Sequence, residues 1–175
     1  MKLREHVVIA GTASLGLFTV LGAKSFLFGL ASVIIDSDHY LEFLYQNGFS
    51  DFSVKRMFVY HDILNNWWHR PGFLNLSIFH TVEFQLSIYF ISIWLDSFLL
   101  LIAFWGMLFH LLLDSLYLYK KGALFKRAFS FIDYAIRKRI MSRQGLSPIT
   151  FCKDALILIH NHEEENGPSA EIIDE

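Results

Sequence analysis

The chain has 175 residues, 54% of them hydrophobic and 18% charged, against roughly 25% charged in an average soluble domain. This composition excludes a disordered chain, and its single cysteine, Cys152, excludes both an intrachain disulfide framework and a multi-cysteine zinc site. The net charge of −2 conceals a split: residues 1–162 carry 15 Lys and Arg against 11 Asp and Glu, whereas residues 163–175 carry six acids and no base.

Taken in chain order, the elements read as helices. Residues 6–23 hold no formally charged side chain, which predicts an apolar helix over 4–22. Residues 1–23 have the basic start and apolar run of a signal peptide, but Glu5 interrupts the basic region and the cleavage pattern is poor. A break at Gly22–Lys24 leads to a second helix over 25–36, then a polar connection over 37–50. A third helix is expected over 51–67, ended by Pro71-Gly72. A fourth over 73–95 and a fifth over 97–119 are joined at Asp96-Ser97, with Ser97 placed as an N-cap. A basic helix over 122–142 places Phe125, Phe129, Ile132, Ile136 and Ile140 three to four apart. A final helix over 148–161 precedes an acidic tail, 163–175, expected to be disordered.

Residues 6–23 and 97–113 sit at the short end of the roughly 17–25 apolar residues that cross a bilayer. The expectation is an all-α integral membrane bundle of about four core apolar helices with cytoplasmic amphipathic helices attached, folded as one domain over 1–162. Eight of the fifteen basic residues lie between Lys120 and Arg143, and Lys2 and Arg4 precede the first helix. The positive-inside rule puts both regions, and both termini, on the cytoplasmic side of an inner membrane.

The ionisable residues of the apolar helices gather near one end. His6 opens the first helix, and Asp36, Asp38 and His39 close the second. His80 and Glu83 stand near the start of the fourth, and His110 and Asp114 near the end of the fifth. At 1.5 Å per residue their offsets from the intervening turns are roughly 18–27 Å, so four segments deliver polar groups to one level. His110 and Asp114 are four apart and His80 and Glu83 three apart, which puts each pair on one helical face. Imidazole and carboxylate donors together suit Zn²⁺, Mn²⁺ or Fe²⁺, as one ion or as two sharing a carboxylate. The candidate ligands are His6, Asp36, Asp38, His39, His80, His110 and Asp114. Asp38 or Glu83 is the candidate general base. His61, His69, His160 and His162 have weaker claims.

These motifs — an N-terminal His6, Asp36-Ser37-Asp38-His39, His69-Arg70, His80-Thr81 and His110-Leu-Leu-Leu-Asp114 — resemble the LexA-regulated, inner-membrane-associated family of predicted membrane-bound metal-dependent hydrolases. The resemblance covers residues 1–118. The order of ligands is also remotely similar to that of zinc-dependent phospholipases C. Ile35 stands where the family usually has proline, and ten residues separate Arg70 from Thr81 where the family keeps these elements close. His80 is preferred over His69 as ligand, being level with His110.

The resulting expectation is a membrane-bound hydrolase that uses a metal-activated water on an ester or phosphoester of an amphiphilic or small-molecule substrate, in contact with membrane lipid and not with nucleic acid. Two other readings stand beside it. One is a haem-binding electron carrier with His80 and His110 as axial ligands, the other a transport or structural membrane protein with a polar relay.

Overall fold

The computed structural model describes residues 3–165. The fold is all-α, with no strand among the described residues. The helices are α1 (Leu3–Leu21), α2 (Ser25–Ile34), α3 (Ser37–Gln46), α4 (Val54–Trp67), α5 (Val82–Trp94), α6 (Phe98–Lys120), α7 (Phe131–Arg143) and α8 (Pro148–Glu165). Two helical stretches are long and apolar enough to cross a membrane, Arg4–Gln46 and Phe98–Lys120.

The chain divides into two compact units. The described residues up to Asp38, with Asn75–Ile136, make the first; His39–Leu74 and the described residues from Arg137 onward make the second.

In the first unit α2 packs against both α1 and α6, and α6 also packs against α5. Small residues permit the close approach. A Cβ on Gly106 of α6 would run into the carbonyl oxygen of Phe28, and one on Gly29 of α2 would meet the Ser14 hydroxyl of α1. Several buried positions on α1 and α2 are small as well: Ala10, Ser14, Ser25, Ala31 and Ser32. The α1–α2 turn is tight because Gly22 adopts φ 57°, a left-handed conformation that costs a glycine little. Between α5 and α6, Asp96 takes φ 47° and the Ser97 hydroxyl accepts from the Leu100 amide at 3.4 Å, the N-cap expected there.

The second unit has its own core. Phe43 of α3, Met57, Tyr60 and Leu64 of α4, Phe73, and Ala155 and Ile159 of α8 are buried together. Ser53 caps α4, accepting from the Arg56 amide.

Four boundaries depart from the sequence reading. The polar connection 37–50 contains a helix, α3. Its alternation of polar residues with Tyr40, Leu41, Phe43 and Leu44 hid a helix whose apolar face serves the second unit's core. The helix expected from 73 begins at Val82, because Thr81 is extended at ψ 149° and caps it by accepting from the Phe84 amide. His80 therefore ends a short 3-10 turn, Ile78–His80, and does not share a helix with Glu83. The basic helix begins at Phe131 and not at 122; Leu124–Lys126 form a 3-10 turn, and the chain from Arg127, extended at ψ 139°, passes beside 75 and 82. There the Asn75 amide donates to the Lys126 carbonyl at 2.9 Å, Ala128 to Asn75 at 2.8 Å and Val82 to Phe129 at 2.9 Å. Of the expected acidic tail, 163–165 continue α8 and the remainder lies outside the described residues.

Candidate metal centre

The first unit brings four side chains to one point. Asp36 stands in the turn between α2 and α3, His80 in the 3-10 turn before α5, and His110 and Asp114 one turn apart on α6. Each offers one ligand atom, and these atoms all lie within 4.8 Å of one another. His110 Nε2 is 3.2 Å from His80 Nε2 and 3.2 Å from Asp36 Oδ1. His80 Nε2 is 3.6 Å from Asp36 Oδ1 and 3.9 Å from Asp114 Oδ2, and His110 Nε2 is 3.8 Å from Asp114 Oδ2. A tetrahedral ion with bonds of about 2.0–2.2 Å sets its ligand atoms roughly 3.3–3.6 Å apart. The separations above, 3.2–3.9 Å, straddle that edge, and the cluster could hold a metal ion. His80, His110 and Asp114 are buried, while the Asp36 side chain keeps 16% of its exposure. Asp36 is thus the member through which solvent meets the cluster.

Asp38 does not join the four; it holds one of them. Its Oδ2 accepts from His80 Nδ1 at 2.9 Å and from the Phe79 amide at 3.0 Å. A carboxylate only accepts, so His80 Nδ1 carries a proton; whenever the ring is neutral its lone pair is then on Nε2, toward Asp36 and His110. A carboxylate on the far nitrogen is the usual support of a metal-binding imidazole. Burial and the nearby Arg127 charge pull the His80 pKa down, but hydrogen bonds to Asp36 and Asp38 outweigh them and hold it above its ordinary value.

His6 lies beside the cluster. Its Nε2 is 3.1 Å from Asp114 Oδ1, and its ring stacks on that of His110 with centroids 4.2 Å apart and planes 18° from parallel. This stacking steadies a ring whose Nδ1 is buried without a hydrogen-bond partner among the described residues. Asp114 is shared: Oδ1 faces His6, and Oδ2 faces both ligand imidazoles.

Arg127 was not singled out from the sequence. Its Nη1 donates to Asp114 Oδ2 at 2.9 Å, with only 15% of the side chain exposed. It is one of eight basic residues in a segment that reads as a solvated basic helix. Arg127 is extended, just after the 3-10 turn Leu124–Lys126, and a periodicity argument gives no sign that it meets Asp114 there.

Glu83 is placed elsewhere. Its Oε1 accepts from the amide of Phe131, the first residue of α7, at 3.0 Å, so the carboxylate satisfies a helix N-terminus. His39 is not among the four either. It belongs to the second unit, where His39, Glu42 and His61 form a separate group of potential donors. His69 is exposed, and Arg70 beside it lies over the Trp67 ring at 4.2 Å. His160 is exposed, and the His162 side chain lies outside the described residues.

No protein-family model matches the chain, and neither does a curated protein or a solved structure.

Proposed function

We propose that the protein is a membrane-bound, metal-dependent hydrolase, of the kind the LexA-regulated inner-membrane family is predicted to be. The observation that carries this reading is the convergence of Asp36, His80, His110 and Asp114, whose ligand atoms lie within 4.8 Å of one another, with His80 oriented by Asp38. A divalent ion, Zn²⁺ by preference and Mn²⁺ or Fe²⁺ as alternatives, supplies an activated water at neutral pH and polarises the bond to be cleaved. Asp114, facing His6 with one oxygen and the imidazoles with the other, suits a carboxylate shared by two ions. Arg127 favours an anionic substrate, a phosphoester over a neutral ester, since a guanidinium matches phosphate oxygens. With Asp38 bound to His80 and Glu83 bound to α7, Asp36 is the carboxylate best placed to take a proton from an incoming water.

Membrane residence is supported by the outer faces of the apolar helices. Leu15, Phe18 and Val20 of α1, Leu30 and Ile34 of α2, Phe90 and Trp94 of α5, and Leu99, Trp105 and Leu112 of α6 are all exposed. Only 33% and 28% of the most apolar windows in the two candidate spans are buried, unlike the core helix of a soluble protein. Close packing through Gly29 and Gly106 also suits helices in lipid. An apolar groove of about 800 Å³, lined by Ala13, Leu17, Phe28, Trp105 and Leu112, reaches Ser115, the neighbour of Asp114. An apolar groove on the unit that carries the polar centre suits an amphiphilic substrate. The basic segment after α6 supports a cytoplasmic position for the centre, at an inner membrane.

The haem reading fits less well. Axial ligation requires the two nitrogens roughly 4 Å apart, two iron–nitrogen bonds of about 2 Å, with a porphyrin between them. His80 and His110 are closer, and Asp36 and Asp114 stand where a macrocycle would lie.

The test is metal content by mass spectrometry on purified wild-type protein and Asp114→Asn, with hydrolysis of a lipid phosphodiester in mixed micelles measured on the same samples. Metal and activity are expected to fall together in the variant. A wild-type protein that takes up no ion under excess zinc ends the hydrolase reading. An absorption spectrum without a Soret band disposes of haem.

A further inference from the structure

We infer that the second unit carries a metal site of its own, formed by His39, Glu42 and His61. His39 and Glu42 are three apart on α3 and so share a face. His61 comes from α4. Their potential ligand atoms all lie within 4.8 Å of one another, and the two rings are 4.7 Å apart at 49°.

The orientation of His61 is the second, independent observation. Its Nε2 lies 2.8 Å from the backbone carbonyl oxygen of His39. A carbonyl only accepts, so Nε2 carries the proton and the neutral ring has its lone pair on Nδ1. A backbone carbonyl on one nitrogen is a usual way of fixing a metal-binding imidazole. The bond spans α3 and α4, so the same contact that sets the tautomer also sets the spacing of the two helices that supply the donors.

Two imidazoles and one carboxylate form a donor set for a first-row transition ion, Zn²⁺ or Fe²⁺, and not for Ca²⁺ or Mg²⁺, which prefer oxygen. All three residues are half-buried, which leaves a route for the ion. Three protein ligands leave a fourth position open to water or to an exogenous group.

Full-length purified protein is stripped with a chelator, dialysed against Zn²⁺ and counted for zinc, with circular dichroism on the same samples. Glu42→Gln and His61→Gln are each expected to hold one zinc fewer than wild type at unchanged helicity. Should one variant lose its helicity, the count on the other decides. Wild-type zinc content in a helical variant overturns the site. Asp114→Asn separates the two centres: it should lose the zinc held by the first unit and keep the one held here. If Asp114→Asn keeps wild-type zinc while Glu42→Gln loses one, the hydrolase centre fails and this site stands.

Discussion

His80 Nδ1 donates to Asp38 Oδ2 across 2.9 Å, with 3% or less of either residue exposed. The bond joins residues 42 apart in sequence and turns the Nε2 edge of the imidazole toward Asp36, His110 and Asp114. Asp38→Asn keeps the shape but accepts a hydrogen bond only through its amide oxygen, while its NH2 can donate to an unprotonated Nδ1, so the preference for Nδ1–H weakens. Zinc affinity, read by competition against a chromophoric chelator, should fall about 10–100-fold at unchanged helicity, the usual cost of losing a supporting carboxylate. An unchanged affinity would mean that the bond serves folding alone.

Arg127 should matter to substrate and little to metal. Arg127→Gln removes the charge beside Asp114 Oδ2 but none of the four ligands. Zinc content should hold, while kcat/KM on a lipid phosphodiester drops roughly 100-fold, the scale of losing one charge-stabilising donor. Activity on a neutral ester should change far less. Equal losses on both substrates would show that Arg127 only shapes the site.

Gly106→Ala tests the packing of α2 on α6. The new methyl meets backbone at Phe28, which cannot swing aside as a side chain can. A loss of about 1–3 kcal/mol is expected from denaturant titration in detergent. Gly11→Ala is the control, since a Cβ there has nothing within 4 Å. As alanine is the better helix former, it should stabilise α1 by up to about 1 kcal/mol.

The second unit should lose stability in alkali. Burial pushes the Cys152 thiol up to about 11 from 9.0, and burial likewise pushes the Tyr60 hydroxyl above its ordinary range. An acid with a raised pKa holds its proton longer when folded than when unfolded, so stability is full below the unfolded value. It should decline as pH rises from about 9 toward about 11. Thermal unfolding across that range checks the sign, and Cys152→Ser should flatten part of the slope. In the folded protein at pH 7, Cys152 should react slowly with iodoacetamide.

Much of the first unit was legible in the sequence, because helix length and rise alone set the level at which His6, Asp36, His110 and Asp114 emerge. The role of His80 was reached by a wrong route. It was placed on a helix with Glu83, whereas Thr81 ends that helix and sends the two side chains to different partners. A cap residue whose hydroxyl can equally sit inside a helix gives no local sign of which it does. The split of Asp36-Ser37-Asp38-His39 among three tasks was not legible either. It depends on the chain turning from α2 into α3, and the polar residues of α3 masked its helical period. Arg127 was hidden for a related reason: an extended strap has no periodicity, and its course is set by backbone bonds to Asn75 and Val82.

That strap has a consequence for how the centre is made. Asp36 leaves the ribosome early, His80 some forty positions later, and His110 and Asp114 later still. No nascent chain that ends before Asp114 holds all four donors, and Arg127 follows only after another 13 positions. For an interval during synthesis the four donors therefore exist without the guanidinium that later pairs with Asp114. An ion bound in that interval would be enclosed as the chain from Arg127 lies down against 75 and 82, whereas one arriving afterwards would have to pass that strap. The order of residues along the chain would thus favour loading during birth over loading at maturity.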